Sequence, residues 1–429
     1  MRGTGMSLTI RILIALVAGL VAGIALSEYG GKLDAAVVDI AQPVGKAWLN
    51  GLQMPLIPLI FALLVTGVAS AATTARTSGT AARTLLLFAL LLLGSASVAA
   101  LLGPLLLQLW PVPAGAVGAL AGAGPATDVP GIRPSAEWLL GFIPANPIHS
   151  AAEGQVVAVV LFALVFGFAV TRVAEDRRIA LTGFLAALVD TLLVVVGWVL
   201  WLAPVGVFAL ALVAGSRSGL ATAGALLHYI AFIVLICLAV TALVYPLVIL
   251  LGQIAPGRFA RAALPAQLIA FSTQSSIASL PAMIAASDGP LAVRESTRSI
   301  VLPLAISLFR ITSPPANLGV ALYVAAMNGV ALGPVQIMLG VAVAAIVSLA
   351  AVGLPSQITF FTTTGPICLA MGVPVEALPL LLAVETVPDI FRTVGNVTAD
   401  MGVTRIIDRL GATPAGFNLR EDTGKNDAN

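Results

Sequence analysis

The sequence predicts an all-α polytopic membrane protein with about eight transmembrane helices and two re-entrant helical hairpins. Three observations carry that expectation. Of 429 residues, 59% are hydrophobic and only 9% charged, with a mean hydropathy of +1.06. A soluble chain of this size cannot bury so much apolar surface, whereas lipid accepts it. Apolar runs of ~20 residues or more recur along the chain, the length that crosses a bilayer. Between them lie two segments interrupted by serine, glycine and proline, which a continuous span does not tolerate.

The runs follow in order. Ile12 to Leu26 has the apolar character of a signal peptide, but it lacks a persuasive cleavage site and leads into further membrane segments, so it reads as a retained first span. The others are Val44 to Ala72, Arg83 to Trp110, Ala136 to Val173, Ile179 to Ala214, Ala221 to Gln253, Ser296 to Val330 and Val373 to Ile407. Several exceed the bilayer requirement, which implies tilted or broken helices. Arg2, Arg11, Arg76, Arg83, Arg172, Arg177, Arg178, Arg258, Arg261, Arg405 and Arg409 fall on one side, and Glu28, Asp34, Asp128 and Glu137 on the other. The positive-inside rule then places both termini in the cytoplasm. Gly115 to Pro134 reads as an extracellular loop, and residues 413–429 as a disordered cytoplasmic tail.

Composition also excludes functions. A net charge of +2 gives no support to a nucleic-acid partner. Cys237 and Cys368 lie in apolar runs and read as buried thiols. His149 and His228 are too few for a histidine-rich metal or catalytic centre. An intramembrane serine hydrolase would need a base near Ser275 or Ser276, and neither hairpin nor either of the last two spans contains a histidine.

The strongest functional signal lies near the end. Glu385, Asp389, Arg392, Asn396 and Asp400 recur every three or four residues and so share one helix face. Their flanks are apolar, and ionisable groups at membrane depth cost several kcal/mol unless they are paired or face water. Such a stripe is a candidate solute or ion path. The guanidinium of Arg392 offers a two-pronged fork for a carboxylate, and Asp389 can hold an ammonium group.

Two interrupted segments and a broken helix converge on the same reading. Phe271-Ser-Thr-Gln-Ser275-Ser276-Ile-Ala-Ser279-Leu-Pro281 separates two short apolar arms, and Val352-Gly353-Leu354-Pro355-Ser356-Gln357 separates two more. Each reads as a hairpin whose tip offers backbone groups to a ligand. The seventh span breaks at Phe309-Arg310-Ile311-Thr312-Ser313-Pro314-Pro315, where paired prolines preclude a continuous ladder. Half-helix ends of this kind can hold ions and anionic groups.

These residues resemble a known family, the dicarboxylate/amino acid:cation symporters that include glutamate/aspartate transporters. The serine-rich stretch from Phe271 to Pro281 is similar to that family's first hairpin. Asp389-Ile-Phe-Arg392-Thr393-Val-Gly-Asn396-Val-Thr-Ala-Asp400 is similar to its last-helix motif, Asp-x-x-Arg-Thr-x-x-Asn-Val-x-x-Asp. Met54-Pro-Leu-Ile-Pro58-Leu-Ile-Phe61, Ile143-Pro-Ala-Asn146-Pro147 and Ala203-Pro-Val-Gly206 extend the resemblance, in the family's order, from about Arg11 to Arg409.

The resemblance implies a non-enzymatic secondary transporter in the inner or plasma membrane, assembled as a homotrimer. It would move a small anionic or zwitterionic solute, namely acidic amino acids or C4-dicarboxylates, with H⁺ or Na⁺ as the coupling cation and no other cofactor. An exchanger or a solute-gated channel of the same fold is the alternative. Residues 7–75 and 136–215 would form a scaffold. Residues 82–110 and 219–412 would form a transport domain that moves like an elevator, with hairpins at 258–292 and 335–371. Carried over by position, Asp389 receives an amino group, Arg392 a side-chain carboxylate, and Thr393 and Asn396 complete the shell. Ser275, Ser276, Gly353, Leu354 and Pro355 close over the ligand, and Asp400 with Asn396 matches a sodium site.

The chain departs from the family at its seventh helix. Where the family has Asn-Met-Asp-Gly-Thr, this chain has Arg310-Ile311-Thr312-Ser313-Pro314. A sodium-ligating carboxylate is thus replaced by Thr312 and a neighbouring amide by Arg310. Gln274 stands where many bacterial relatives carry an arginine. The expectation is that Arg310 supplies the missing positive charge to Asp389 or Glu385, with Arg310, Thr312, Glu385, Asn396 and Asp400 forming the cation-coupling set.

Overall fold

The computed structural model, which describes residues 8–113, 143–350 and 356–411, turns the apolar runs into α-helix. Helix is the structure that satisfies every backbone N–H and C=O within one segment, as lipid demands. In chain order the elements are α1 (Leu8–Tyr29), α2 (Lys32–Gln53), α3 (Leu56–Thr77), α4 (Gly79–Leu109), α5 (Pro147–Ala152) and α6 (Val156–Val170). Then come α7 (Glu175–Trp201), α8 (Ala203–Ser218), α9 (Leu220–Gly252), α10 (Pro256–Thr273), α11 (Ser276–Asp288) and α12 (Glu295–Leu308). The last are α13 (Ser313–Met327), α14 (Pro334–Ala350), α15 (Ser356–Met371), α16 (Leu378–Val384) and α17 (Thr386–Leu410).

Six stretches of the described residues are long and apolar enough to cross a membrane: Ile10–Tyr29, Leu33–Ala75, Gly79–Leu109, Glu175–Trp201, Leu220–Gly252 and Glu295–Met327. The difference from the expected eight has physical causes. The Ala136 to Val173 run is cut into α5 and α6, and its first residues lie outside the described ones. The last run carries its charged stripe and turns at Glu385, between α16 and α17. The second expected span falls within one counted stretch, Leu33–Ala75, which is interrupted between α2 and α3 at Met54-Pro55, where proline removes a ladder donor.

Packing divides the helices into two groups. In the first, α1 lies along α8, α2 also packs on α8, and α3 packs on α6 and α7. The α1–α8 crossing needs glycine: a Cβ at Gly23 would collide with the backbone of Leu212, the close approach that small residues allow in membranes. Trp48 of α2 donates its indole N–H to the Val199 carbonyl at 2.8 Å. In the second group, α17 is surrounded by α9, α10, α11 and α12, while α13 and α14 pack on α4. Contacts of α3 with α4 and α14 join the groups.

Both interrupted segments are helix pairs. In the first, α10 packs against α11, and the chain reverses at Gln274, whose φ of 52° is left-handed. Ser275 then caps α11, its Oγ accepting from the Ala278 N–H at 3.2 Å. In the second, α14 packs against α15; the tip with Gly353, Leu354 and Pro355 lies outside the described residues.

The far end of α17 is tied down by charge. Arg294, at the start of α12, donates from Nε to Asp408 Oδ1 at 2.8 Å and from Nη2 to the Asp408 carbonyl at 2.6 Å. Arg409 Nε donates to Gln253 Oε1 at 2.8 Å, and Arg405 Nε to the Gly252 carbonyl at 3.1 Å, both at the end of α9. The upper part of α17 is thereby held in register against its neighbours.

Candidate substrate and cation site

The site grows from the turn at Glu385. The helical hydrogen bond from Asp389 N to Glu385 O, 2.9 Å, runs through the turn, so the stripe keeps its single face. Glu385 is buried, and its Oε2 accepts from the Tyr229 hydroxyl of α9 at 2.6 Å. Its Oε1 lies 2.6 Å from Arg392 Nη2. That ion pair is close but off the N–H direction, so neither atom completes a hydrogen bond among the described residues. Arg392 Nη1 donates to Asn317 Oδ1 of α13 at 2.9 Å, and Asn317 Nδ2 donates to Thr363 Oγ1 of α15 at 2.8 Å. A polar relay therefore runs from α9 through the stripe to the second arm of hairpin 2.

A low-dielectric interior makes such a pair strong and makes any missing partner costly. Sequence reasoning placed Arg392 as a receiver for a ligand carboxylate. In the structure its Nη1 is bonded to Asn317 and its Nη2 faces Glu385, while Nε and Nη2 complete no hydrogen bond among the described residues. Tyr229, Asn317 and Thr363 were missed. The signal for the first two was a lone phenol and a lone amide in apolar runs, groups that need partners when buried.

The break of the seventh span meets the middle of the stripe. From Phe309 to Thr312 the chain leaves the helix, anchored by Phe309 stacked on Phe88 of α4 at 4.5 Å. Thr312 donates from N to Asn396 Oδ1 at 3.0 Å. Its hydroxyl lies 2.8 Å from that same oxygen and 2.8 Å from the Arg392 carbonyl. Because a backbone N–H can only donate, the Asn396 amide has its oxygen towards Thr312, leaving its NH₂ as the group available to a carboxylate. Gly395 makes this approach possible: a Cβ there would collide with Thr241 of α9 and with the Thr312 methyl.

Other predicted residues fall around this centre. Asp389 is half-buried, and the Thr393 hydroxyl donates to its carbonyl at 2.8 Å. Asp400 is 1% exposed, and neither carboxylate oxygen has a hydrogen-bond partner among the described residues. Arg310 is half-buried at the break of the seventh span. Glu385, one of the two acids it is expected to serve, already lies against Arg392. Ser275 and Ser276 are part-exposed at the tip of hairpin 1, which is drawn to the stripe by Phe271 packing edge-on against Phe391 at 6.3 Å. Gln267 of the same hairpin donates to Thr398 Oγ1 at 2.7 Å.

A helical membrane protein with a charged stripe, a broken helix and two hairpins belongs to a defined class. Residues 8–410 match the sodium:dicarboxylate symporter family, and the chain is a member of it. Among individual relatives, it is 24% identical to the proton/glutamate-aspartate symporter of Escherichia coli (strain K12), over 100% of this chain and 99% of the relative. It is 29% identical to neutral amino acid transporter B(0) of Oryctolagus cuniculus, over 92% of this chain and 78% of that protein. With the C4-dicarboxylate transport protein of Leptothrix cholodnii it shares 25% identity, over 91% and 86% of the two chains. The family is one of transporters rather than enzymes.

Proposed function

We propose that this protein is a secondary active transporter that moves acidic amino acids or C4-dicarboxylates across the inner or plasma membrane by cation symport, with an elevator mechanism in a homotrimer. The observation that carries the reading is the convergence of Asp389, Arg392 and Asn396 with the broken seventh span and the tip of hairpin 1. Asp389 receives an amino group, Arg392 and the Asn396 NH₂ receive carboxylates, and Thr393 lies between them. Ser275, Ser276, Gly353, Leu354 and Pro355 close over the solute. Glu385, Thr312, Arg310, Asn396 and Asp400 set the coupling to H⁺ or Na⁺, with Asp400 and Asn396 the place where a sodium ion would be held. The elevator reading is supported by the division of packing between the α1–α3, α6–α8 group and the helices gathered around α17 and α4.

A second reading has its own support. Glu385 already neutralises Arg392 at 2.6 Å, and Pro314 stands where the resembled family has a threonine. Both features favour a solute without a second carboxylate, a neutral amino acid. Ligand-dependent thermal stabilisation decides between the readings. A ligand at a hundred times its Kd stabilises by about 2.7 kcal/mol. The first reading expects the response with L-aspartate, L-glutamate or succinate, and the second with L-serine or L-alanine. A chain stabilised by none of them and inactive in uptake would not be a carrier of this class.

A further inference from the structure

We propose that the groove between α4 and α9 binds an anionic phospholipid of the surrounding membrane, with one acyl chain in the groove and the headgroup on Arg83 and Arg409. Only the membrane placement of these helices underlies it, whatever the cargo of the carrier.

The groove follows from small side chains facing a proline. α4 and α9 run antiparallel: the Trp110 carbonyl, at the end of α4, lies 3.2 Å from His228 Nε2, near the start of α9. Between them, Gly94 and Ser95 of α4 and Pro246 and Leu247 of α9 line a cavity of about 350 Å³. A Cβ added at Gly94 would meet nothing within 4 Å, and the Ser95 hydroxyl is turned back to the Leu92 carbonyl at 2.9 Å. The remaining walls are apolar side chains. The size falls within the range of ligand sites, about 300–1,000 Å³. A polar ligand would give up its water there without compensation, whereas an alkyl chain gives up nothing.

Position says where that chain comes from. Both walls belong to helices long and apolar enough to cross a membrane. Exposed leucines flank the groove, Leu90 and Leu93 on α4 and Leu243 on α9. It therefore opens on the hydrocarbon of the bilayer, where lipid is the solvent.

Charge selects the headgroup. Arg83, Leu87, Leu91, Gly94 and Val98 follow one another at helical spacing, so Arg83 ends the stripe that Leu91, Gly94 and Val98 bring to the groove. On α9 the groove reaches Leu250, one turn before Gln253, whose Oε1 accepts from Arg409 Nε at 2.8 Å. With the helices antiparallel, Arg83 and Arg409 stand at the same end of the groove. Both are exposed, and neither pairs with a carboxylate among the described residues. Guanidinium groups grip phosphate in two-pronged fashion, and basic residues at the end of a span attract anionic lipid.

An occupant would also touch the broken helix. Ile311, 3% exposed, closes the inner side of the groove. The next residue, Thr312, is fastened to Asn396 and to the Arg392 carbonyl. A chain in the groove therefore backs the segment that holds the middle of the stripe.

The test places purified protein in nanodiscs of phosphatidylcholine containing a trace of a lipid with a photoreactive diazirine in one acyl chain. The probe is phosphatidylglycerol in one set and phosphatidylcholine in the other, and labelled peptides are mapped by mass spectrometry. In wild type, phosphatidylglycerol is expected to label residues 91–98 and 243–250 at least about fivefold more than phosphatidylcholine does, the preference that one arginine near an anionic lipid confers. Gly94→Phe, which plugs the groove, is expected to lose that label and to keep labels on other exposed spans. Arg83→Gln combined with Arg409→Gln leaves the groove whole and is expected to be labelled equally by the two lipids. Wild-type labels spread evenly over α1, α4, α7 and α9, equal labelling of the wild-type groove by both lipids, or a groove label that survives Gly94→Phe overturns the proposal. So does a groove left unlabelled because a second copy of the chain covers it, as cross-links between copies would show. If Gly94→Phe does not fold, the double arginine variant decides: a lipid preference unchanged from wild type overturns the proposal.

Discussion

Arg392 and Glu385, two helical turns apart on the last helix, face one another at 2.6 Å with both side chains buried. Each is the other's main reason for being charged inside the membrane. Removing one partner of such a pair is much worse than removing both, because the survivor is left as a bare charge in a dry place.

Arg392→Ala is accordingly expected to lower stability by about 3–5 kcal/mol. Adding Glu385→Gln should return a large part of that loss, and a double-mutant cycle read by thermal melting measures the coupling. Additive effects would mean that the two groups do not depend on each other.

Tyr229 closes the same relay from α9, donating to Glu385 at 2.6 Å. Tyr229→Phe keeps the ring and removes only a hydrogen bond to a charged group, a loss of about 2 kcal/mol. It is expected to lower the melting temperature less than Arg392→Ala and to weaken solute binding. The titration that checks this compares ligand affinity in the two proteins.

Gly395 lets α9 and the broken seventh span approach the stripe. Gly395→Ala forces a methyl against Thr241 and Thr312, an overpacking expected to cost about 1–3 kcal/mol. Combining it with Thr312→Ser, which deletes the offending methyl, should recover part of both stability and binding. A wild-type melting curve for Gly395→Ala alone would contradict the tight contact.

Much of this was legible in the sequence, and the remainder was not for identifiable reasons. The stripe from Glu385 to Asp400 could be read because charge in an apolar run is costly and recurs with helical spacing. The hairpins could be read because serine, glycine and proline interrupt runs that lipid would otherwise keep whole. What spacing cannot give is which neighbouring helix faces which residue. Tyr229 and Asn317 precede the stripe by 156 and 75 residues respectively, counting to the groups they bind. Only the fold brings them together. The same limit hides from the sequence that Glu385 and Asn317 lie against Arg392.

Asp408 tests the architecture away from the site. It accepts from Arg294 at 2.8 Å and lies 3.7 Å from Arg405. Asp408→Ala removes the carboxylate that Arg294 and Arg405 meet but leaves the Arg294 bond to the 408 carbonyl, and because Arg294 is half exposed the expected loss is modest, about 1 kcal/mol. Melting should fall slightly in low salt, with solute affinity nearly unchanged, since the stripe begins elsewhere on the helix.

Solute counterflow in proteoliposomes bears most directly on the central claim that the stripe on the last helix carries a small charged solute across the membrane. Vesicles loaded with unlabelled L-aspartate, L-serine or succinate are diluted into a trace of the labelled compound. For at least one of these solutes, transient saturable accumulation is expected in wild type, and accumulation of an amino acid is expected to be absent in Asp389→Ala. Flux that rises linearly with concentration, or amino-acid accumulation that Asp389→Ala leaves intact, would contradict it.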